Sequence, residues 1–359
     1  MSDQKKFRIA IVGCGMIYNE HLVALRELPE KAEIVAAVDH DPVALKKAQE
    51  KYGLADDILY SDWKTMLAEV KPDGVDVCLP NNEHFPCVMD SIAAGCHVFC
   101  EKPLALNVSE AEQMVAAAKA ANVKLAIGFQ QEYNPGTELL VNARNEGFFG
   151  DLRYIHGSLI RRRGVPGYGI YCYREPGGGP IMDIAVHLLD IMTYVCERPQ
   201  PKRITASFFY GEGKDPANGK VFFGGTEWDY ENYDIEDLAA VQITFDTGLV
   251  IQMETSYINH CKEDLVYDFK LSGSKGGAWW QVYKAPEFYT DKFGAMMNMT
   301  PVYMPSQGRP NMFRRKLENW IDACTIGTDL LLPGEIGLYV QRMLDGIMLA
   351  AKTGKEVLL

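Results

Sequence analysis

The stretch FRIAIVGCGMIYNEHL, residues 7–22, decides the fold. It opens as an unbroken apolar run, the pattern of a parallel strand buried on both faces, and breaks at Gly13 and Gly15 before a helix-like segment. Strand, glycine turn and helix in that order make a diphosphate cradle. The first glycine permits the tight turn and the second lets a phosphate approach the main chain. Met16 and Ile17 open a helix whose free N–H groups and positive dipole end favour an anion. Asp39 closes the next strand, AEIVAAVD (32–39). A carboxylate there accepts from both ribose hydroxyls and repels a 2'-phosphate, so NAD is favoured over NADP. Tyr18 stands where a third small residue is usual, which predicts an altered angle between helix and strand.

Outward from this point the alternation continues. PVALKKAQEKYG (42–53) reads as a helix opened by proline and closed by glycine, followed by WKTMLAEV as helix, GVDVCLP as strand, HFPCVMDSIAAG as helix and HVFCE as strand. SEAEQMVAAAKAAN reads as a helix with Ser109 and Glu112 as a capping box, and KLAIGF as a strand. Strand–helix repetition with continuously apolar strands predicts a doubly wound parallel sheet in a domain spanning 1–128. From 129 to 359 the pattern changes. Consecutive strand runs near 203–210, 238–246, 249–258 and 265–272, with turns such as FDTG and GSKGG, predict an α+β domain on a mostly antiparallel sheet. Helices at 311–323 and 335–353 close the chain. The glycine-rich, aromatic stretch 211–234 reads equally as a loop tip or as an arm over a partner subunit's sheet.

Composition narrows the partners. A net charge of −12 offers no positive field for nucleic acid or anionic membrane. The short run Arg161–Arg163 reads as a solvated strand end or, more sharply, as a substrate or cofactor contact. The N-terminus lacks a signal-peptide pattern and no apolar run approaches the roughly 18 residues of a membrane span, so a cytoplasmic protein is expected. Nine cysteines without paired CxxC spacing read as free thiols, and no metal site is expected.

A second stretch carries the chemistry. PIMDIAVHLLDIM (180–192) follows three glycines and reads as an apolar helix bearing Asp183, His187 and Asp190. Asp183 and His187 lie one helical turn apart, close enough for the carboxylate to fix the imidazole's tautomer or to grip a neighbouring hydroxyl. From spacing alone, an aspartate favoured by the helix dipole and a satisfied core histidine account for the pair equally well. LPNNEH and CEKP end strands on the ligand-binding edge of the parallel sheet. Pro80, Asn81, His84, Glu101 and Lys102 are therefore candidates for the nicotinamide side, while a helix-capping role for Asn81 and a surface role for His84 stay open.

AGCHVFCEKPLAL, with LPNNEHFPCVMDSIAAG before it and GGGPIMDIAVHLLDIM after it, resembles the family of glucose-fructose oxidoreductase, inositol 2-dehydrogenase and the rhizopine-catabolism protein MocA. The likeness runs through the whole chain, including the later SGSKGGA. It implies an NAD(P)-dependent enzyme acting on a secondary alcohol of a sugar, cyclitol or polyol. It also implies a homo-oligomer built through the outer faces of its C-terminal sheets. Carried over by position, the lysine of E-K-P is Lys102, and the acid and imidazole of D-x-x-x-H are Asp183 and His187. Gln131 and Glu132 depart from the basic pair often seen, which leaves the substrate preference of relatives uncertain here. RRRGVPGYG looks like members that act on glucosides or free hexoses, including at C3.

Removing a hydride from a carbinol carbon requires the hydroxyl proton to leave. His187 suits the base, because its ordinary pKa lies near working pH. Lys102 suits a donor to the same oxygen. Arg163, Tyr168, Tyr171 and His260 are further substrate candidates, with core or surface roles equally open. Two other functions fit the same residues: a glycosidase that uses held NAD to oxidise C3 transiently, and a cofactor-binding sensor. The sensor's hallmark would be loss of Lys102, Asp183 or His187, and all three are present.

Overall fold

The computed structural model describes residues 5–166, 172–218, 228–304 and 309–359. It divides into two compact units: 1–130 with 309–341, and 131–308 with 342–359.

In the first unit, β1 (Phe7–Val12) leads to α1 (Met16–Arg26), then β2 (Ala32–Val38), α2 (Pro42–Tyr52), β3 (Leu59–Tyr60) and α3 (Trp63–Val70). β4 (Gly74–Val77), α4 (Asn81–Ala93), β5 (His97–Cys100), α5 (Val108–Ala120) and β6 (Leu125–Ile127) complete the run. The six strands pair in parallel in the order β3-β2-β1-β4-β5-β6. The chain reverses direction across the sheet between β1 and β4, the place where such sheets open a ligand crevice. Local chemistry explains the helix ends. Asp41 accepts from Val43 N–H at 2.8 Å and Pro42 occupies the first turn of α2, with Gly53 left-handed at its end. α5 corrects the sequence expectation: its cap is Asn107, whose Oδ1 accepts from Glu110 N–H at 3.0 Å, and Ser109 already lies inside the helix.

The second unit holds α6 (Pro135–Asn145), β7 (Leu152–Arg161), a π-helical turn (Ile181–Ala185) running into α7 (Val186–Val195), and β8 (Pro201–Phe209). β9 (Leu238–Phe245), β10 (Val250–Ser256), β11 (Leu265–Gly273), β12 (Gly276–Gln281), β13 (Glu287–Lys292) and β14 (Ala295–Met299) follow. After them come α8 (Arg309–Thr325), α9 (Gly334–Thr353) and β15 (Val357–Leu358). The nine-stranded sheet has the order β14-β13-β12-β11-β7-β10-β9-β8-β15 and is antiparallel except where β7 meets β10. Helices press closely on one face. A Cβ on Gly157 of β7 would stand 2.6 Å from Met192 Sδ, and one on Gly136 of α6 would stand 2.4 Å from the Trp280 ring. These are contacts only glycine tolerates. On the other face Tyr154, Gln242 and Gln252 share hydrogen bonds, and Ser158 donates to Glu254 at 2.8 Å.

The sequence predicts one uninterrupted domain from 129 to 359, whereas α8 returns to the first unit. Phe313, Leu317, Trp320 and Ile321 join Phe7, Ile9 and Phe99 in one core, with the Trp320 ring edge-on to Phe7 at 5.5 Å and near Phe99 at 5.6 Å. Lys31 fastens the same helix through Glu318 and Asp322, each at 2.8 Å. Stretch 211–234 packs on its own unit as far as it is described. Asp237 accepts from the Glu212 and Gly213 N–H groups, and Trp228 donates to Gly213 O at 2.8 Å. Residues 219–227 fall outside the described set, and so does a test of an arm over a partner. All nine cysteines are free thiols, six of them buried. Among the described residues no helix is long and apolar enough to cross a membrane.

Because Trp320 is fully buried, Trp320→Ala should cost the first unit about 3–5 kcal/mol. The urea unfolding transition measures this; a midpoint equal to that of the wild type would show that α8 is not part of that core.

Candidate active site

In the first unit the glycine turn forms as the sequence predicts. Gly13 has φ +96, and a Cβ there would sit 2.6 Å from the Cys78 carbonyl oxygen, so no other residue fits between β1 and the end of β4. At Gly15 the surroundings are open, with no atom within 4 Å of the same virtual Cβ. Gly15 caps α1 and has no side chain to bond the first N–H groups of the helix. Gly15 and Met16 are exposed and Ile17 is half-buried. Asp39 stands beside the turn: its Oδ2 accepts from Cys14 N–H at 2.7 Å and its Oδ1 from Asp41 N–H at 2.8 Å. The carboxylate therefore shapes the cradle it borders. Tyr18 is fully buried and packs edge-on to Tyr52, so the departure from the glycine motif is absorbed by core packing. These features fit a nicotinamide dinucleotide.

Pro80 caps α4, half-buried, and Asn81 is buried in its first turn; the cap is thus Pro80 and not Asn81. His84 is fully buried rather than at the surface. Its ring nitrogens lie 2.7 Å from Pro103 O and 2.9 Å from Leu79 O. Burial lowers its pKa, while the contacts with the Pro103 and Leu79 carbonyls oppose that shift. Glu101 also turns inward, 5% exposed, with Oε2 accepting from Lys102 N–H at 3.3 Å. Lys102 itself is half-buried.

In the second unit the glycine run bends the chain into the helix, with φ +85 at Gly177 and +103 at Gly179. Glu236, fully buried, stands against Gly179 and accepts from Ile181 N–H at 3.0 Å, while its other oxygen pairs with Arg174. Burial raises the Glu236 carboxyl's pKa even though Arg174 opposes it. The first turn is π-helical, wider than the α-helix expected from the sequence, a form common at functional sites. From Ile181 through Thr193 every residue is buried except Asp183 and His187. The two polar groups of the motif thus share the one partly open side of an otherwise buried helix. Tyr257, fully buried, donates from its hydroxyl to Asp183 Oδ2 at 2.8 Å, and the Arg161 guanidinium lies 5.2 Å from that ring's centre. Arg161 is therefore not a solvated strand end: it is 7% exposed and donates to Gly164 O.

Asp190 stays out of the open side. It is buried 3.5 Å from Arg198, and burial pushes its carboxyl well above the usual range. Glu132 pairs with the same Arg198, and Gln131 donates to the Tyr283 hydroxyl at 2.6 Å, so the positions that depart from the basic pair serve packing within this unit. Arg163 and His260 do come together, 3.3 Å apart on adjoining segments. Tyr168 and Tyr171 lie outside the described residues. Tyr257 and Glu236 escaped the sequence reading because they follow Asp183 and Ile181 by 74 and 55 residues without any local motif.

Two family models match the chain. One, described as an oxidoreductase family with an NAD-binding Rossmann fold, covers residues 7–129; the other, described as that family's C-terminal alpha/beta domain, covers residues 145–359. The chain is 31% identical to a D-glucoside 3-dehydrogenase of Escherichia coli (strain K12), over 98% of this chain and 97% of that protein. It is similar in structure to an aldose-aldose oxidoreductase from Caulobacter crescentus, with TM-score 0.80, 24% identity, and 99% of this chain and 100% of the other covered. It is also similar to a levoglucosan dehydrogenase in complex with NADH, with TM-score 0.85, 18% identity and 99% of each chain covered. At these identities the two structures speak for the fold.

Asp39→Ala removes a charged acceptor from the cradle, which is worth about 1.5–3 kcal/mol, and so should weaken NADH binding about tenfold to 100-fold. Fluorescence titration gives the Kd. An unchanged value would take Asp39 out of the cofactor site.

Proposed function

The chain belongs to the Gfo/Idh/MocA oxidoreductase family, and on that premise we propose that it oxidises a secondary hydroxyl of a sugar or glycoside, C3 of a glucoside foremost, with NAD rather than NADP. The observation that carries the reading is the burial pattern of residues 181–193, which leaves only Asp183 and His187 partly open. An acid and an imidazole one turn apart and partly open can meet a substrate hydroxyl, as a base and its orienting carboxylate must.

In this reading His187 takes the hydroxyl proton as the carbinol C–H bond gives up its hydride. NAD supplies the hydride acceptor, so a secondary alcohol and NAD⁺ become a ketone, NADH and a proton. Lys102 donates to the hydroxyl oxygen and stabilises its developing negative charge. Asp183, its orientation fixed by the Tyr257 hydroxyl, grips a neighbouring hydroxyl of the substrate or holds the imidazole tautomer. Arg163 and His260, paired on their own unit, are assigned to outer hydroxyls of the substrate. The glucoside preference is supported by the D-glucoside 3-dehydrogenase relative, which the chain matches over nearly its full length. NAD is supported by the Asp39 carboxylate beside the glycine turn, which a 2'-phosphate would meet as a like charge.

Four measurements test this. NADH formation should be fastest with methyl glucosides in a panel that also holds free hexoses and myo-inositol. Release of nitrophenol from a nitrophenyl glucoside without net NADH would favour the transient-oxidation glycosidase instead. His187→Ala should lose about 10²-fold to 10⁴-fold in kcat while keeping NADH affinity, and wild-type turnover would remove the base assignment. Tyr257→Phe deletes one hydrogen bond to a charged group, so kcat/KM should fall about tenfold to 100-fold with the fold intact by circular dichroism. No change would show that Asp183 needs no brace.

A further inference from the structure

Beneath Lys102 the first unit buries four ionisable side chains from four elements. His21 of α1, Asp76 of β4, Glu101 at the end of β5 and Lys316 of α8 are all 5% exposed or less. His21 Nδ1 lies 2.9 and 2.8 Å from the two Asp76 oxygens, and its Nε2 lies 2.9 Å from Glu101 Oε1. Lys316 Nζ donates to that same Glu101 oxygen, with its ammonium 4.2 Å from the centre of the Phe313 ring and 5.1 Å from that of Phe99. Cys78 of the β4 end completes the surroundings, its sulfur 3.5 Å from His21 Nδ1.

The geometry fixes the protonation. Ionised carboxylates only accept, so a ring with both nitrogens against carboxylates carries a proton on each. His21 is then an imidazolium, and two cations balance two anions. Burial works against this charge on His21, but Asp76 and Glu101 outweigh it and raise the pKa; Glu101 is held well below its usual range by Lys316 and His21 despite its burial. Four buried charges are a costly way to stabilise a core, since apolar residues of the same volume commonly do as well. What they achieve here is direction. Glu101 Oε1 takes both cations, which leaves Oε2 to the main-chain N–H of Lys102, and the carboxylate stands where a Cβ on Gly128 would fall 2.5 Å from Oε1.

We propose that His21 and Lys316 are positioning residues for the reaction: through Glu101 they hold the peptide that carries Lys102. The inference rests on the assignment of Lys102 to the substrate oxygen. Neither side chain touches the reacting atoms.

A double-mutant cycle tests it, using wild type, His21→Gln, Lys102→Met and the double variant, assayed with NAD and the fastest glucoside of the panel. Lys102→Met alone reports on the assignment of Lys102, and turnover at the wild-type level would overturn that reading and this inference with it. Given a loss there, His21→Gln should lower kcat about tenfold to 100-fold, the scale of a small misplacement, with the NADH Kd within about threefold of wild type. The double variant should fall no lower than Lys102→Met. A double variant that falls by the product of the two losses, or a His21→Gln enzyme with wild-type kcat, overturns the proposal. Should His21→Gln fail to fold, Lys316→Met takes its place in the cycle with the same expectation.

Three readings need no turnover. In a ¹⁵N-histidine spectrum taken just above the ordinary imidazole pKa of about 6.5, both His21 ring nitrogens should still be protonated; a bare nitrogen overturns the charge assignment. So does stoichiometric zinc in the purified protein, because His21, Asp76 and Cys78 offer ligand atoms within 4.8 Å of one another and a metal would displace the Nδ1 proton. The His21 pKa is raised on folding, so its contribution to stability is complete below the ordinary imidazole value of about 6.5 and is lost as pH rises through the raised value. The melting temperature of the wild type should fall on that alkaline limb, and that of His21→Gln should start lower and fall less.

Discussion

Everything at the cofactor edge depends on one close approach. The main chain at Gly13 passes so near the carbonyl of Cys78 that a single carbon added there would come within 2.6 Å of its oxygen. That contact sets β1 and β4 side by side at the reversal of strand order. A main-chain bond crosses the seam from Cys78 N–H to Val12 O at 2.7 Å, and on the other side Gly13 N–H ties the turn to β2 through Val38 O at 2.8 Å. With the seam closed, α1 begins where an anion can reach its free end, and Asp39 lies near enough to accept from the turn. A larger residue at position 13 would open the seam and displace both.

The second unit solves a different problem: holding a short polar pair rigid on a helix that is otherwise core. Its answer is two buried braces, one at Ile181 and one at Asp183. Glu236 accepts the first helical N–H group and fills the space that Gly179 leaves, while Tyr257 fixes Asp183 from β10's end. Each brace is backed by an arginine, Arg174 for the carboxylate and Arg161 over the phenol ring. Side chains locked in this way have little rotamer freedom left to lose.

How much of this was legible in the sequence follows from range. The parallel sheet could be read because each buried strand announces itself over a few residues, and the glycine turn, Asp39 and the Asp183–His187 spacing are all local signals. The cap of α5 was displaced by two residues because Asn107 and Ser109 both suit the role, and only main-chain geometry distinguishes them. What the sequence hid was distant pairing. Lys316 meets Glu101 across 215 residues, and Tyr257 meets Asp183 across 74. Arg161 read as solvated because a run of three arginines says nothing about an aromatic ring that will cover the first of them. The reassignment of α8 to the first unit was hidden for the same reason, since an amphipathic helix does not reveal which apolar surface it will cover.

The return of α8 has a consequence for the chain as it is made. The parallel sheet is encoded by residues 7–127, yet its core lacks Phe313, Leu317 and Trp320 until the ribosome has added nearly two hundred further residues. During that interval the rings of Phe7 and Phe99 lack the Trp320 ring that packs on both, and Glu101 sits beside His21 without the ammonium that balances it. The nascent nucleotide half therefore keeps part of its apolar core surface open to water until α8 has been made.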